Sequence, residues 1–201
     1  FLQNRLGFDF TYYQQKSSDL LLSQPIDPTT GYANYYNNIG KIKNTGVELS
    51  VNGHIVKSEN FNWNATVNWS KNNNEVYELA EGVEKLSIGS AFSSPQSYAI
   101  VGQPFGVIYA QKFQRNDQGQ VLIDPNSGLP LYEAELGSVG STIPKWLMNF
   151  NNEFSYKNLS FSFLWDFRKG GKIWGGTNAN LINRGKAEIT ADRERNYVID
   201  G

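Results

Sequence analysis

Cysteine is absent from the 201 residues, and histidine and methionine occur once each. The missing thiols exclude a disulfide framework and a thiolate metal site, and they leave the redox compartment unreadable. An excess of one charge is absent as well. Eighteen Lys and Arg stand against 19 Asp and Glu, for a net charge of −1. Neither a nucleic-acid partner nor a polybasic membrane anchor is expected. No apolar run approaches the length of a membrane-spanning helix, and the mean hydropathy is −0.48. That says nothing against a β-barrel, whose strands average out to neutral. Helical periodicity is weak throughout; residues 186–196 have some helical character but no apolar stripe. The opening Phe1-Leu2-Gln3-Asn4-Arg5 lacks the pattern of a signal peptide. Both ends are expected to be cuts through a longer polypeptide, with a trimmed or mature secreted chain as the alternative.

What the sequence does have is alternation and aromatic residues, the latter 14% of the chain. From Phe61 to Ser70 every second residue is apolar (Phe61, Trp63, Ala65, Val67, Trp69), and the residues between are small and polar. A period of two puts each set on its own face of a β-strand. The same pattern predicts five long strands near 5–22, 41–56, 61–77, 146–156 and 159–173. Lys57-Ser58-Glu59-Asn60 and Lys157-Asn158 read as tight hairpin turns. The other connections, near 23–40, 78–145 and beyond 174, are long and rich in Gly, Pro, Asn, Ser and Tyr.

Two architectures fit this alternation. A soluble sandwich would bury the aromatic face in its own core. A transmembrane barrel would turn it to lipid and the polar face to a wet lumen, with short turns at the periplasmic end and long loops outside. Phe61 and Trp69 lie on one face roughly 26 Å apart along the strand. At a tilt of about 40° this gives roughly 20 Å of height, near the ~25 Å apolar band of a barrel. If both tight turns are periplasmic, residues 78–145 form one external excursion, with Ala99–Phe113 as a strand inside it. The alternative is that 99–113 crosses and 114–145 returns. Five strands cannot close a barrel, and an open edge in lipid is costly, so the chain would be part of something larger.

Several short motifs carry weak signals. Gly40 and Gly46 flank Asn44 at a strand entrance and are expected to permit a bulge or an unusual φ. Glu48 is expected to face the lumen and to pair with a basic residue on a neighbouring strand. Asp166 and Arg168, with Lys169 and Lys172, suggest a lumen-wall ion-pair network or a substrate-attracting patch. Asp117-Gln118-Gly119 and Asp124-Pro125-Asn126-Ser127-Gly128 resemble calcium-loop fragments. Counted from Asp124, the sixth position is Leu129 rather than Gly, so they read as turns and no metal is expected. His54 sits mid-strand with no nucleophile motif near it; no catalytic residue, no cofactor and no enzymatic activity are expected. The sequons at Asn64, Asn68 and Asn158 fall on strands or a tight turn and read as chance matches. The loop aromatics Tyr32, Tyr35, Tyr36, Phe92, Tyr98, Phe105, Tyr109 and Trp174 are candidates for contact with substrate or a capping partner.

The order of these motifs carries a resemblance. Asn38-Ile39-Gly40-Lys41-Ile42-Lys43-Asn44-Thr45-Gly46-Val47-Glu48-Leu49 resembles the barrel signature of SusC/RagA-type TonB-dependent outer-membrane transporters of Bacteroidetes. Tyr12-Tyr13, Lys16 and Asp19-Leu20-Leu21-Leu22 fit the strand before it. Val101-Gly102-Gln103-Pro104-Phe105-Gly106 resembles an external loop element. Pro144-Lys145-Trp146, Phe154 through Phe163 and Asp166 through Lys172 resemble a late barrel hairpin. The resemblance implies an all-β fold: an antiparallel transmembrane β-barrel segment with long extracellular loops, over residues 1–201, within a plugged barrel of about 22 strands. It implies import of oligosaccharides or peptides, energised by TonB, with a SusD-type surface lipoprotein as partner and outer-membrane lipid around the wall. The plug, the TonB-binding segment and the final strand of that pattern are missing from this sequence. The rival expectation is a secreted all-β carbohydrate-binding module.

Overall fold

A computed structural model of the chain describes residues 5–90, 95–192 and 194. Its strands are β1 Leu6–Ser17, β2 Leu21–Pro25, β3 Asn34–Asn38, β4 Lys41–Lys57, β5 Phe61–Glu78, β6 Lys85–Ser90, β7 Gln96–Ile100, β8 Val107–Ala110, β9 Gly137–Ser141, β10 Pro144–Tyr156 and β11 Leu159–Gly170. A short helix, α1 Gly176–Asn183, follows. The five long strands form one antiparallel sheet in the order β1-β4-β5-β10-β11.

Register converts the sequence alternation into continuous rows. Phe10, Leu49, Trp69, Met148 and Phe167 lie side by side across all five strands, and Phe8, Val51, Val67, Phe150 and Trp165 form the next row. Below them Trp63, Phe154 and Phe161 align, then Phe61, Tyr156 and Leu159. Trp63 and Phe154 stack at 5.4 Å between ring centres, and Phe163 and Trp165 meet at 5.0 Å. The opposite face carries rows such as Asp9, Ser50, Asn68, Asn149 and Asp166. Cross-strand pairs of this kind are the unit of sheet stabilisation.

The sheet has no core of its own. Phe8, Phe10, Phe161 and Trp165 are each more than half exposed, at 59%, 62%, 61% and 54%. The buried apolar cluster lies at the loop end instead. Ile39, Ile42, Val76, Leu79, Leu86 and Ala99 pack there, with Leu22, Val83 and Phe105 against them. It is built where β4 and β5 outrun the apolar rows and meet the β2–β3 hairpin and the four-stranded sheet β6-β7-β8-β9.

Four expectations need correction. The strand expected near 5–22 breaks after Ser17, and Asp19 takes φ 58° before β2 begins. Residues 99–113 are not one strand: Gly102 and Gly106 at φ 78° and 82° separate β7 from β8, which pair as a hairpin. A helix covers 176–183, and in the segment 186–196, of which 193, 195 and 196 lie outside the described residues, a 3₁₀ turn at Glu188–Thr190 appears. Gly40 adopts φ 95°, but Gly46 has neither a positive φ nor a bulge. Its requirement is space: the Tyr13 ring lies where a Cβ would stand, and the Lys71 carbonyl is 2.8 Å from that point.

Replacing Gly46 by Val should therefore overpack this contact and cost roughly 1–3 kcal/mol. Heat-modifiability of the full-length barrel on a gel should shift to lower temperature, and Tyr13→Ala in the same background should restore much of the loss.

Candidate functional site

The polar face is shaped by short side chains, because the register sets Asn, Ser and Thr opposite one another. Asp9, Thr11, Glu48, Ser50, Asn68, Ser70 and Asn149 line a shallow recess on it. Glu48 stands between Thr11 and Ser70, so no basic residue faces it across either strand. Asp166 accepts a hydrogen bond from the Asn149 amide. Arg168 donates to the Thr142 carbonyl at 3.2 Å. The ion-pair network expected around these residues is absent from the described residues, whose one salt bridge joins Lys41 and Glu78 at 2.7 Å. Glu48, Asp166 and Arg168 do share one face, opposite the aromatic rows. His54 bonds the Asn64 side chain on the same face.

At the loop end the candidate aromatics divide. Tyr98 on β7 and Tyr109 on β8 meet edge to face at 5.2 Å. The Lys85 ammonium sits 4.1 Å from one ring centre and 4.0 Å from the other, a cation–π clasp. The Tyr98 hydroxyl donates to the Gln96 side chain. Tyr35 and Tyr36 lie on β3; Tyr35 donates to Gln24 at 3.2 Å, and Tyr36 is 74% exposed. Tyr32 and Trp174 are exposed separately. Phe105 packs against the buried cluster, and its backbone N–H donates to Asn74 Oδ1 at 2.7 Å. Phe92 lies outside the described residues.

Two polar devices escaped the sequence reading. Asn44 Oδ1 accepts from Asn72 at 3.0 Å and from Asn74 at 2.9 Å, tying β4 to β5 above the apolar rows. The run Asn72-Asn73-Asn74 is the sequence signal for it, since it interrupts the alternation. The second device lies within the aromatic face. Asn152 is 1% exposed, its Oδ1 accepts from the Trp63 indole at 3.1 Å, and its Nδ2 has no partner.

The two calcium-like fragments form turns. Asn116 Oδ1 accepts from the Gln118 and Gln120 backbone N–H groups at 3.0 and 2.9 Å. Asp124 accepts from the Asn126 N–H at 2.9 Å and the Ser127 hydroxyl at 2.8 Å. The Asn126 N–H, then the Ser127 hydroxyl, hold the Asp124 carboxyl below its ordinary value of 3.8.

A family model described as "TonB dependent receptor-like, beta-barrel" matches residues 1–198. TonB-dependent receptor P26 of Formosa agariphila is 32% identical over 213 residues, covering 94% of this chain and 21% of that protein. TonB-dependent receptor SusC of Bacteroides thetaiotaomicron is 25% identical over 175 residues, covering 81% of this chain and 17% of the relative. The structure of the RagAB peptide transporter superposes with a TM-score of 0.63 at 24% identity, over 81% of this chain and 19% of that one. The chain thus spans about a fifth of the length of the relatives it matches.

Asn152→Leu should be close to neutral, because it removes the unpaired Nδ2 but leaves the Trp63 indole N–H without its acceptor. Trp63→Phe should cost roughly 1–3 kcal/mol by orphaning Oδ1 as well. Unfolding temperatures of the full-length barrel would check the order of the two. At Asp124 a lowered folded-state pKa means that the turn's stabilisation is complete above the ordinary carboxylate value. It is lost only as pH falls through the lowered one. Hydrogen exchange at Asn126, corrected for intrinsic rate, should stay slow at mildly acidic pH and rise only below the usual carboxylate range. Asp124→Ala should make it fast at every pH.

Proposed function

We propose that this chain, which belongs to the TonB dependent receptor-like β-barrel family, supplies part of the wall and outer rim of an outer-membrane importer. The carrying observation is the set of aromatic rows in register over five strands with no second layer of the described residues packed on them. A secreted binding module would have to bury those rows under a second sheet. The β6-β7-β8-β9 sheet instead packs at the loop end, so the rows are left for lipid.

In this reading the rows from Phe61 to Trp69 and their neighbours form the apolar band, and Glu48, Asp166 and Arg168 line the lumen. Short turns at Ser58–Asn60 and Lys157–Asn158 face the periplasm, and residues 78–145 form one external structure. The imported nutrient is an oligosaccharide or peptide, driven through TonB and received with a SusD-type surface lipoprotein. Tyr35, Tyr36, Tyr98 and Tyr109 are the described aromatics best placed on external elements to meet it; Tyr32 and Trp174 are further candidates. The chain makes and breaks no bonds in the nutrient: the relatives are named as receptors, and the wall offers polar contacts and a passage.

The full-length protein should fractionate with the outer membrane at a mass several times 22.6 kDa, and uptake through it should stop when TonB is removed. Recovery as a soluble 22.6 kDa protein would sink the reading. The face assignment has its own test. Val67→Arg, in the middle of the band, should destabilise the barrel by about 2–4 kcal/mol, whereas Asn68→Arg on the other face should cost far less.

A further inference from the structure

The β5–β10 ladder ends at Ser70–Leu147, and the two strands part above it. The fork encloses a cleft of about 600 Å³ between residues 71–74 of β5 and residues 140–145, with the end of β11 beside them. It lies near the middle of the sheet, away from the open edges of β1 and β11. Lys71, Lys145 and Lys172 line it, and no carboxylate does. Among the described residues none of these three ammonium groups has an ion-pair or side-chain hydrogen-bond partner.

Two glycines make room for the lysine stems. A Cβ at Gly140 would come within 2.9 Å of Lys172 Cγ, and one at Gly170 within 3.0 Å of Lys145 Cγ. On the β5 side of the fork the backbone is also without a paired strand, whereas on the other side Ser141 accepts from the Lys172 N–H at 2.8 Å and Thr142 from Arg168. Val76 exchanges hydrogen bonds with Gly102 and Gln103, at 2.7 and 2.9 Å, on the side of β5 away from β4. By the period of two, Asn72 and Asn74 present their N–H and C=O groups to the same side, where the cleft lies and no strand is paired to them.

From this geometry we propose that the cleft is a binding site for an acidic peptide. The peptide backbone adds to the free edge of β5 at Asn72–Asn74, and its carboxylates reach Lys71, Lys145 and Lys172. Strand addition supplies main-chain hydrogen bonds, and side chains of opposite charge supply selectivity. A sugar would leave the β5 edge groups without the regular donors and acceptors that a second strand provides. The proposal rests on the transporter reading for its physiological role and names the ligand class of one site in it.

The test uses the full-length protein in outer-membrane vesicles, acetylated with an amine reagent and read by mass spectrometry. Tetraglutamate should slow acetylation of Lys71, Lys145 and Lys172 and leave Lys112 and Lys186 unchanged. Lys71→Gln, Lys145→Gln or Lys172→Gln should each weaken tetraglutamate binding roughly tenfold, the worth of one charge-assisted hydrogen bond. Tetralysine should not protect. Protection by tetragalacturonate but not by tetraglutamate would overturn the peptide assignment. So would lysines that resist the reagent with no ligand present, since the rest of the protein would then fill the cleft. Labelling and binding are read whether or not the protein transports, so failure of the uptake experiment leaves this result separate.

Discussion

In hydrocarbon, each N–H or C=O left without a partner costs several kcal/mol, so every lipid-facing strand must be paired on both sides. That constraint organises this sheet. The β5–β10 ladder and, below Trp146, the β10–β11 ladder run unbroken through the aromatic rows, and the β4–β5 ladder is interrupted there once, just above the Trp63 row. Most of the irregularities sit toward the ends of the strands. One bulge lies between His54 and Val56, next to the tight turns. The others lie at Lys41–Ile42 and Pro144–Trp146, toward the loops. Where the strands leave the band, pairing is relaxed and β5 forks away from β10.

A second chemistry takes over above the Trp69 row. Lys71, three consecutive asparagines and Glu75 replace the alternation, and the Asn44–Asn72–Asn74 network joins β4 to β5 through side chains. A few residues further, Ile42 and Val76 turn apolar again, but now against the β2–β3 hairpin and the β6–β7 pair. One pair of strands thus serves two environments. Its lower part carries exposed rings, and its upper part anchors a small buried core shared with the β2–β3 hairpin and the β6–β7 pair.

The band was legible because alternation is local: each of its residues announces its face through its neighbours two positions away. The tight turns were legible for the same reason. The β6-β7-β8-β9 sheet was not, because its strands are short and held by contacts distant in sequence. In Ala99–Phe113 the apolar composition hid the reversal made by Gly102 and Gly106. The break after Ser17 was hidden too, since Asp19 gives no glycine signal for its positive φ. Partners across the polar face also stayed out of reach. Glu48 faces Thr11 and Ser70 rather than a basic residue, because its partners depend on the register that the turn and the bulge at His54–Val56 together set. Lys85, which joins Tyr98 to Tyr109, stands on a different strand from either, so no spacing rule connects them.

The row Leu6, Gly53, Ala65, Asn152 and Phe163 shows how a polar group survives in such a band. Gly53 and Ala65 are the small residues of the aromatic face. Their lack of bulk lets groups from neighbouring positions lean inward: the Ile55 side chain comes within 3.3 Å of where a Gly53 Cβ would stand. Trp63, one row lower, reaches across to Asn152 with its indole N–H. The amide is covered almost completely, while Phe161 and Trp165 on β11 stay more than half exposed. A charge there would have no such cover, since a carboxylate needs several donors and only one is in reach. The band can therefore hold one neutral dipole, because it is narrow at that row and wide on either side of it.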